Sequence, residues 1–162
     1  MSSFDITELI LHKPNFLSKE QCDFLIEFYE KNKKQKTRES CAHAETLIDT
    51  ESTFDVIDIP FKTEANQLVS SSIEKMINLW QDYTDQFKMF HKGKRATMLY
   101  SHKLRLMKYK KNAKIHPHTD HNTHIYGSCT FNLNEEYEGG EFVFFRGKKK
   151  IKLKRGDALI FP

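Results

Sequence analysis

Apolar positions in the first half of the chain recur at helical steps. Cys22, Leu25, Ile26 and Tyr29 lie three and four residues apart, behind a Ser18-Lys19-Glu20-Gln21 run of the S-x-x-Q capping-box form. That pattern predicts a helix over about Lys19 to Lys31. A longer stripe of Ala65, Leu68, Val69, Ile73, Met76, Ile77, Trp80, Tyr83 and Phe87 predicts a second helix over about 63–87, its apolar face seeking a sheet. Core packing accounts for Met76 and Trp80 better than a cofactor contact does. Leu9-Ile10-Leu11 reads as a short lead-in strand that stops at Pro14, and Phe54, Val56 and Ile57-Asp58-Ile59 as a strand ending at Pro60. Residues 33–50 are polar and aperiodic, which predicts a loop, and 90–95 form a basic linker.

Beyond residue 100 the period shortens to two. Leu104, Leu106 and Tyr109 alternate with Arg105, Lys108 and Lys110. Short runs then follow over 115–120, 126–133, 141–145, 149–153 and 158–161. Lys111-Asn112, Asn134-Glu135, Gly139-Gly140, Arg146-Gly147 and Gly156-Asp157 punctuate them as turns. Two helices followed by a train of strands predicts an α+β domain, the helices buttressing an antiparallel sandwich or barrel.

With 162 residues, 38% of them hydrophobic, the chain suits one domain and one core. No run is long and apolar enough to span a bilayer, and Met1-Ser2-Ser3-Phe4-Asp5 lacks the basic and apolar regions of a signal peptide, so a soluble, cytoplasmic protein without membrane partners is expected. Cys22, Cys41 and Cys129 are too dispersed for a zinc or CxxC signature and read as reduced thiols. The net charge of +4 is unevenly spread, with −7 over residues 1–87 and +11 over 88–162. The basic half suits an acidic protein partner. Lys148 to Arg155 alternates with Ile151 and Leu153 as the wet face of a strand does, without interleaved aromatic platforms, which disfavours nucleic acid.

The run His116-Pro117-His118-Thr119-Asp120 carries the candidate chemistry. In an extended segment His118 and Asp120 project from one side with Cα atoms roughly 6.5 Å apart. An imidazole and a carboxylate there are two thirds of the 2-His-1-carboxylate set that holds non-haem Fe(II) with open positions. His116 would stand about 13 Å from Asp120, too far to share the iron with it. His121 and His124 fall in the following loop, and His43, His91 and His102 have no constellation around them.

Context strengthens this short motif. Tyr109 precedes it, and Ser128-Cys129-Thr130-Phe131-Asn132-Leu133-Asn134, Tyr137-Glu138-Gly139-Gly140-Glu141 and Gly156-Asp157-Ala158-Leu159-Ile160-Phe161-Pro162 follow in order. From about Leu104 to Pro162 that series resembles the prolyl 4-hydroxylase-like branch of the 2-oxoglutarate- and Fe(II)-dependent dioxygenases, and Leu17-Ser18-Lys19-Glu20-Gln21-Cys22 looks like the family's first helix. The resemblance implies a double-stranded β-helix, a cupin-like jelly roll with N-terminal helices packed on one sheet. Residues 1–162 would be a single domain, with 1–100 as helical buttress and lead-in strands and 101–162 as jelly-roll core. The implied activity couples oxidative decarboxylation of 2-oxoglutarate to hydroxylation of a peptidyl, for instance prolyl, or other aliphatic carbon. Fe(II), 2-oxoglutarate and O2 are the implied cofactors, with ascorbate as an accessory, and the implied substrate is a protein, a peptide or a small molecule.

By the same resemblance His118 and Asp120 are iron ligands and catalytic, and Tyr109 contacts 2-oxoglutarate. Ser128, Thr130 and Asn132 share one strand face and are candidates for the same contact. The 33–50 and 121–126 loops would wall the substrate entrance. The family's second histidine ligand and its 2-oxoglutarate-pairing basic residue normally lie beyond a G-D-A-L-I-F-P-like stretch, where this sequence stops, so a C-terminally incomplete jelly roll is expected, a piece of a longer protein. Two other readings stand beside it. An AlkB-type nucleic-acid demethylase shares the H-x-D, but Met107 stands where those enzymes carry the asparagine of N-x-Y. A non-catalytic jelly-roll binding module would keep the motif as a relic.

Overall fold

Ser18 opens the first helix in the way its sequence predicts. Its side chain accepts from the Gln21 N–H, and the Gln21 side chain returns to accept from the Ser18 N–H. Two of the helix's four orphan donors are thereby satisfied. The computed structural model describes residues 5–40, 53–87, 103–119 and 127–162. Within them helix α1 spans Lys19–Asn32 and buries Cys22, Leu25 and Tyr29. Helix α2 spans Glu64–Thr84 behind Thr63, whose side chain accepts from the Asn66 N–H. Its buried stripe, Ala65, Val69, Ser72, Met76, Trp80 and Thr84, keeps to three- and four-residue steps and therefore to one face.

Eight short strands are present among the described residues: β1 (Leu11–Lys13), β2 (Thr37–Ser40), β3 (Thr53–Asp58), β4 (Arg105–Tyr109), β5 (Ser128–Phe131), β6 (Phe142–Phe144), β7 (Lys149–Ile151) and β8 (Ala158–Phe161). They pair antiparallel in three sheets, β1-β8-β5, β2-β3-β4 and the hairpin β6-β7. The architecture is α+β with two helices and antiparallel sheets, and those sheets do not close into a barrel.

β8 is the axis of the first sheet. Cys129 pairs with Ile160 and Leu11 with Ile160, while Thr130 and His12 both pair with Leu159. Directly opposed residues share a face, so Ala158, Ile160, Leu11, Cys129 and Phe131 meet Met76 and Trp80 of α2. On the other face Leu159 and Phe161 pack with Ile10, Ile151, Leu153, Phe142 and Phe144. The sheet thus lies between α2 and the β6-β7 hairpin, and Ala158 and Leu159 are fully buried. A second core joins α1 and the start of α2 to Ile57, Ile59 and Leu106 of the β2-β3-β4 sheet and its flanks, with Phe131 and Leu133 packed against it. Trp80 ties helix to lead-in segment by donating from Nε1 to the Leu9 carbonyl at 2.6 Å.

The lead-in strand is displaced toward the C-terminus of its expected place. Ile6–Leu9 form a 3-10 turn capped by Asp5, and the strand is Leu11–Lys13. The 33–50 segment is not wholly loop, because Thr37–Ser40 form β2. Apolar alternation cannot reveal such a strand: it is held by its ladder to β3 and by ion pairs from Arg38 to Asp55 and from Glu39 to Arg105. No strand forms over 115–119. Pro117 removes one ladder donor there, and the Lys111-Asn112 turn, with Asn112 left-handed at φ 65, ends the extended run of β4.

Candidate functional site

Tyr109 ends β4, opposite Phe54 of β3, and the two rings meet in a tilted contact at 5.3 Å between centroids. The tyrosine remains 41% exposed, with its hydroxyl 3.7 Å from the Met107 sulfur. Alternation along β4 puts Met107 and Tyr109 on the face opposite Leu106, which is buried against the helices. The expected co-substrate tyrosine thus occupies the sheet surface turned away from α1 and α2.

His118 lies nine residues on, exposed, in the irregular segment after β4. Its Nδ1 is 2.8 Å from the His116 carbonyl. A proton on Nδ1 makes that contact a hydrogen bond and leaves the lone pair on Nε2, the tautomer in which metal-binding histidines are commonly held. Asp120 and the 121–126 loop, with His121 and His124, lie outside the described residues, as do Cys41, His43, His91 and His102. Among the described residues no three His, Cys, Asp or Glu side chains gather as a metal set.

Ser128 and Thr130 are half-buried on β5, opposite Phe161 and Leu159. They share the sheet face covered by the β6-β7 hairpin, while Cys129 and Phe131 point to α2. The expected common face of Ser128 and Thr130 is present, but it belongs to a different sheet from Tyr109. Asn132 follows the strand, and its side chain is engaged in structural bonds. Nδ2 donates to the Asn134 carbonyl at 2.7 Å and the Leu153 carbonyl at 3.3 Å, and Oδ1 accepts from the Tyr137 hydroxyl at 3.0 Å. Its main chain also bonds Gly156 and Asp157, so Asn132 knits the end of β5 to the turn before β8.

Asp157 stands out in the sequence only as part of the Gly156-Asp157 turn and of the run that continues to Pro162, neither of which assigns its side chain a role. It is 2% exposed and organises that turn. Oδ1 accepts from the Asn15 N–H at 3.0 Å, and Oδ2 accepts from the Lys154 N–H at 2.9 Å and lies 2.8 Å from His12 Nε2. Burial acts to raise this carboxyl, but the Lys154 and Asn15 N–H groups and the His12 ring outweigh it and hold it below the usual carboxylate range. The thiols differ from a reactive pair. Burial pushes Cys129 up to about 12 and also raises Cys22, the latter against the opposing pull of Arg155. Arg155 donates to the Lys19 carbonyl and to the Asp23 carboxylate, anchoring the same turn to α1.

No family model, curated protein or solved structure matches the chain.

Proposed function

We propose that this chain is a 2-oxoglutarate- and Fe(II)-dependent dioxygenase of the prolyl 4-hydroxylase-like kind, built on part of a double-stranded β-helix. The observation that carries the reading is the ordered pairing of sequence and topology: Tyr109 at the end of β4, H-x-D nine to eleven residues on, then β5, the β6-β7 hairpin and β8, with α2 on one face of the β1-β8-β5 sheet and the hairpin on the other. Antiparallel sheets buttressed by α2 support the jelly-roll reading.

The donor chemistry fits iron. His118 offers an imidazole whose Nδ1 meets a main-chain carbonyl, and Asp120 offers a carboxylate. When bound, Fe(II) with 2-oxoglutarate supplies the activation of O2 needed to hydroxylate an unactivated carbon. The protein's own part is to hold and orient the reactants. The His116 carbonyl fixes the ring of His118, Tyr109 presents a hydroxyl for a keto-acid oxygen, and the Ser128 and Thr130 hydroxyls offer polar contacts on a face otherwise lined by Leu159 and Phe161. The substrate is a peptidyl carbon, for instance prolyl, or another aliphatic carbon.

Manganese(II), a redox-stable stand-in for Fe(II), tests the ligand assignment by water-proton relaxation. Binding that weakens at least tenfold in both His118→Ala and Asp120→Ala, with unchanged circular dichroism, supports the assignment. Unchanged affinity in both variants rejects it.

A further inference from the structure

Cations on α1 and the β2-β3-β4 sheet are largely matched by carboxylates. Lys33 and Lys108 meet Glu30, Lys36 and Arg38 meet Asp55, and Arg105 meets Glu39. The β6-β7 hairpin is different. Lys148 reaches Asp5 at 2.9 Å, but among the described residues Arg146, Lys149, Lys150, Lys152 and Lys154 have no carboxylate partner. Five uncompensated cations within nine residues form a concentrated positive surface.

Their arrangement is regular. Burial alternates from Ile151 to Lys154, with Ile151 and Leu153 buried and Lys152 and Lys154 exposed. Lys150 falls on the same outer face, directly opposite Val143 of β6, which is 57% exposed. Lysines at every second position stand roughly 6.5–7 Å apart, the same-face repeat of any extended chain. β7 has β6 on one side and, among the described residues, no strand on the other. Such an edge presents main-chain donors and acceptors in register with that row of charges. The hairpin tip is itself held in an unusual form, since Phe145 and Arg146 are both left-handed (φ 50 and 58) ahead of Gly147. Non-glycine residues are strained in that region and persist where the surrounding structure holds them in a fixed shape.

We propose that the outer face and open edge of β7 dock an extended acidic polypeptide strand bearing Glu or Asp at alternate positions. Lys150 and Lys152 pair with its carboxylates, Val143 meets an apolar side chain, and the β7 backbone supplies strand-to-strand hydrogen bonds. A nucleic acid fits less well, because it has no extended main chain to continue the ladder at the edge of β7. The docking surface stands independently of the iron site.

Fluorescence anisotropy with a labelled peptide of alternating Glu and Thr tests this on the full chain. The proposal expects saturable binding that weakens steeply with salt and falls at least tenfold in Lys150→Ala/Lys152→Ala. In hydrogen exchange, the amides of 149–152 should gain protection when the peptide binds. The proposal is overturned if the double variant, with unchanged circular dichroism, binds as the wild type does. It is also overturned if the 149–152 amides gain no protection, or if an oligo-dT of equal charge displaces the peptide at lower concentration than unlabelled peptide does.

Discussion

Replacing Asp157 by Asn changes one atom in the turn that feeds β8. Oδ1 receives the Asn15 N–H, and Oδ2 receives the Lys154 N–H and contacts His12. An amide has one oxygen for these two main-chain donors. In either flip an NH2 group faces an N–H within a site that is 2% exposed, so one donor is orphaned whichever way the side chain turns. An unsatisfied buried donor costs about 1–3 kcal/mol. The charge-assisted bond to the surviving oxygen also weakens. We therefore expect a loss of roughly 2–3 kcal/mol, which for a chain of this size lowers Tm by roughly 5–10 °C.

The pH dependence has a defined sign. The folded carboxyl is held below its ordinary value, so its contribution is fully present above the unfolded carboxylate pKa near ~4 and is lost as pH falls through the folded value. Wild type and variant should therefore differ most near neutrality and converge in acid. Urea unfolding followed by circular dichroism at pH 7 and at pH 3 measures both. A loss below about 0.5 kcal/mol at pH 7, or one that persists undiminished in strong acid, refutes the assignment of Asp157 as the carboxylate that holds this turn.

Other changes test other parts. Gly156 has φ +80, and an added Cβ would clash with the Leu17 carbonyl oxygen, which accepts no such approach without moving backbone; Gly156→Ala should cost about 2 kcal/mol or more in urea unfolding, and a neutral result would show that the turn can relax. Met76 is fully buried between α2 and β8, so Met76→Ala should cost about 2–5 kcal/mol in the same assay, whereas a cost under 1 kcal/mol would mean that the helix is loosely seated. His118 is exposed, and His118→Ala should leave Tm within about 2 °C of wild type; a larger drop would make the residue structural.

Both helices are legible in the sequence because their apolar stripes and caps are local. The Ser18 capping box and the Met76–Trp80 stripe need no tertiary knowledge to be recognised, and the structure shows the former formed and the latter buried. β5, β6, β7 and β8 likewise lie within their expected ranges, since alternation and turn residues mark them. β2 is hidden because Thr-Arg-Glu-Ser is polar and owes its conformation to a partner strand and to distant carboxylates. The absence of a strand over 115–119 reflects Pro117 and the turn at Asn112, which outweigh the alternation of His116 and His118. Sheet membership is also long-range: nothing near Tyr109 or Thr130 says that they belong to different sheets. Asn132 and Asp157 bond close neighbours in sequence but also residues 21 and 142–145 positions away, and no local pattern announces those distant partners.

As proposed, His118 and Asp120 hold iron for 2-oxoglutarate chemistry. Anaerobic titration of the chain with Fe(II) and 2-oxoglutarate, followed through the weak visible charge-transfer band of a bidentate keto-acid on iron, tests it most directly. The expected result is a band that saturates with 2-oxoglutarate, disappears in His118→Ala and weakens in Tyr109→Phe. A chain that gives no band, or a band that survives His118→Ala, would contradict it.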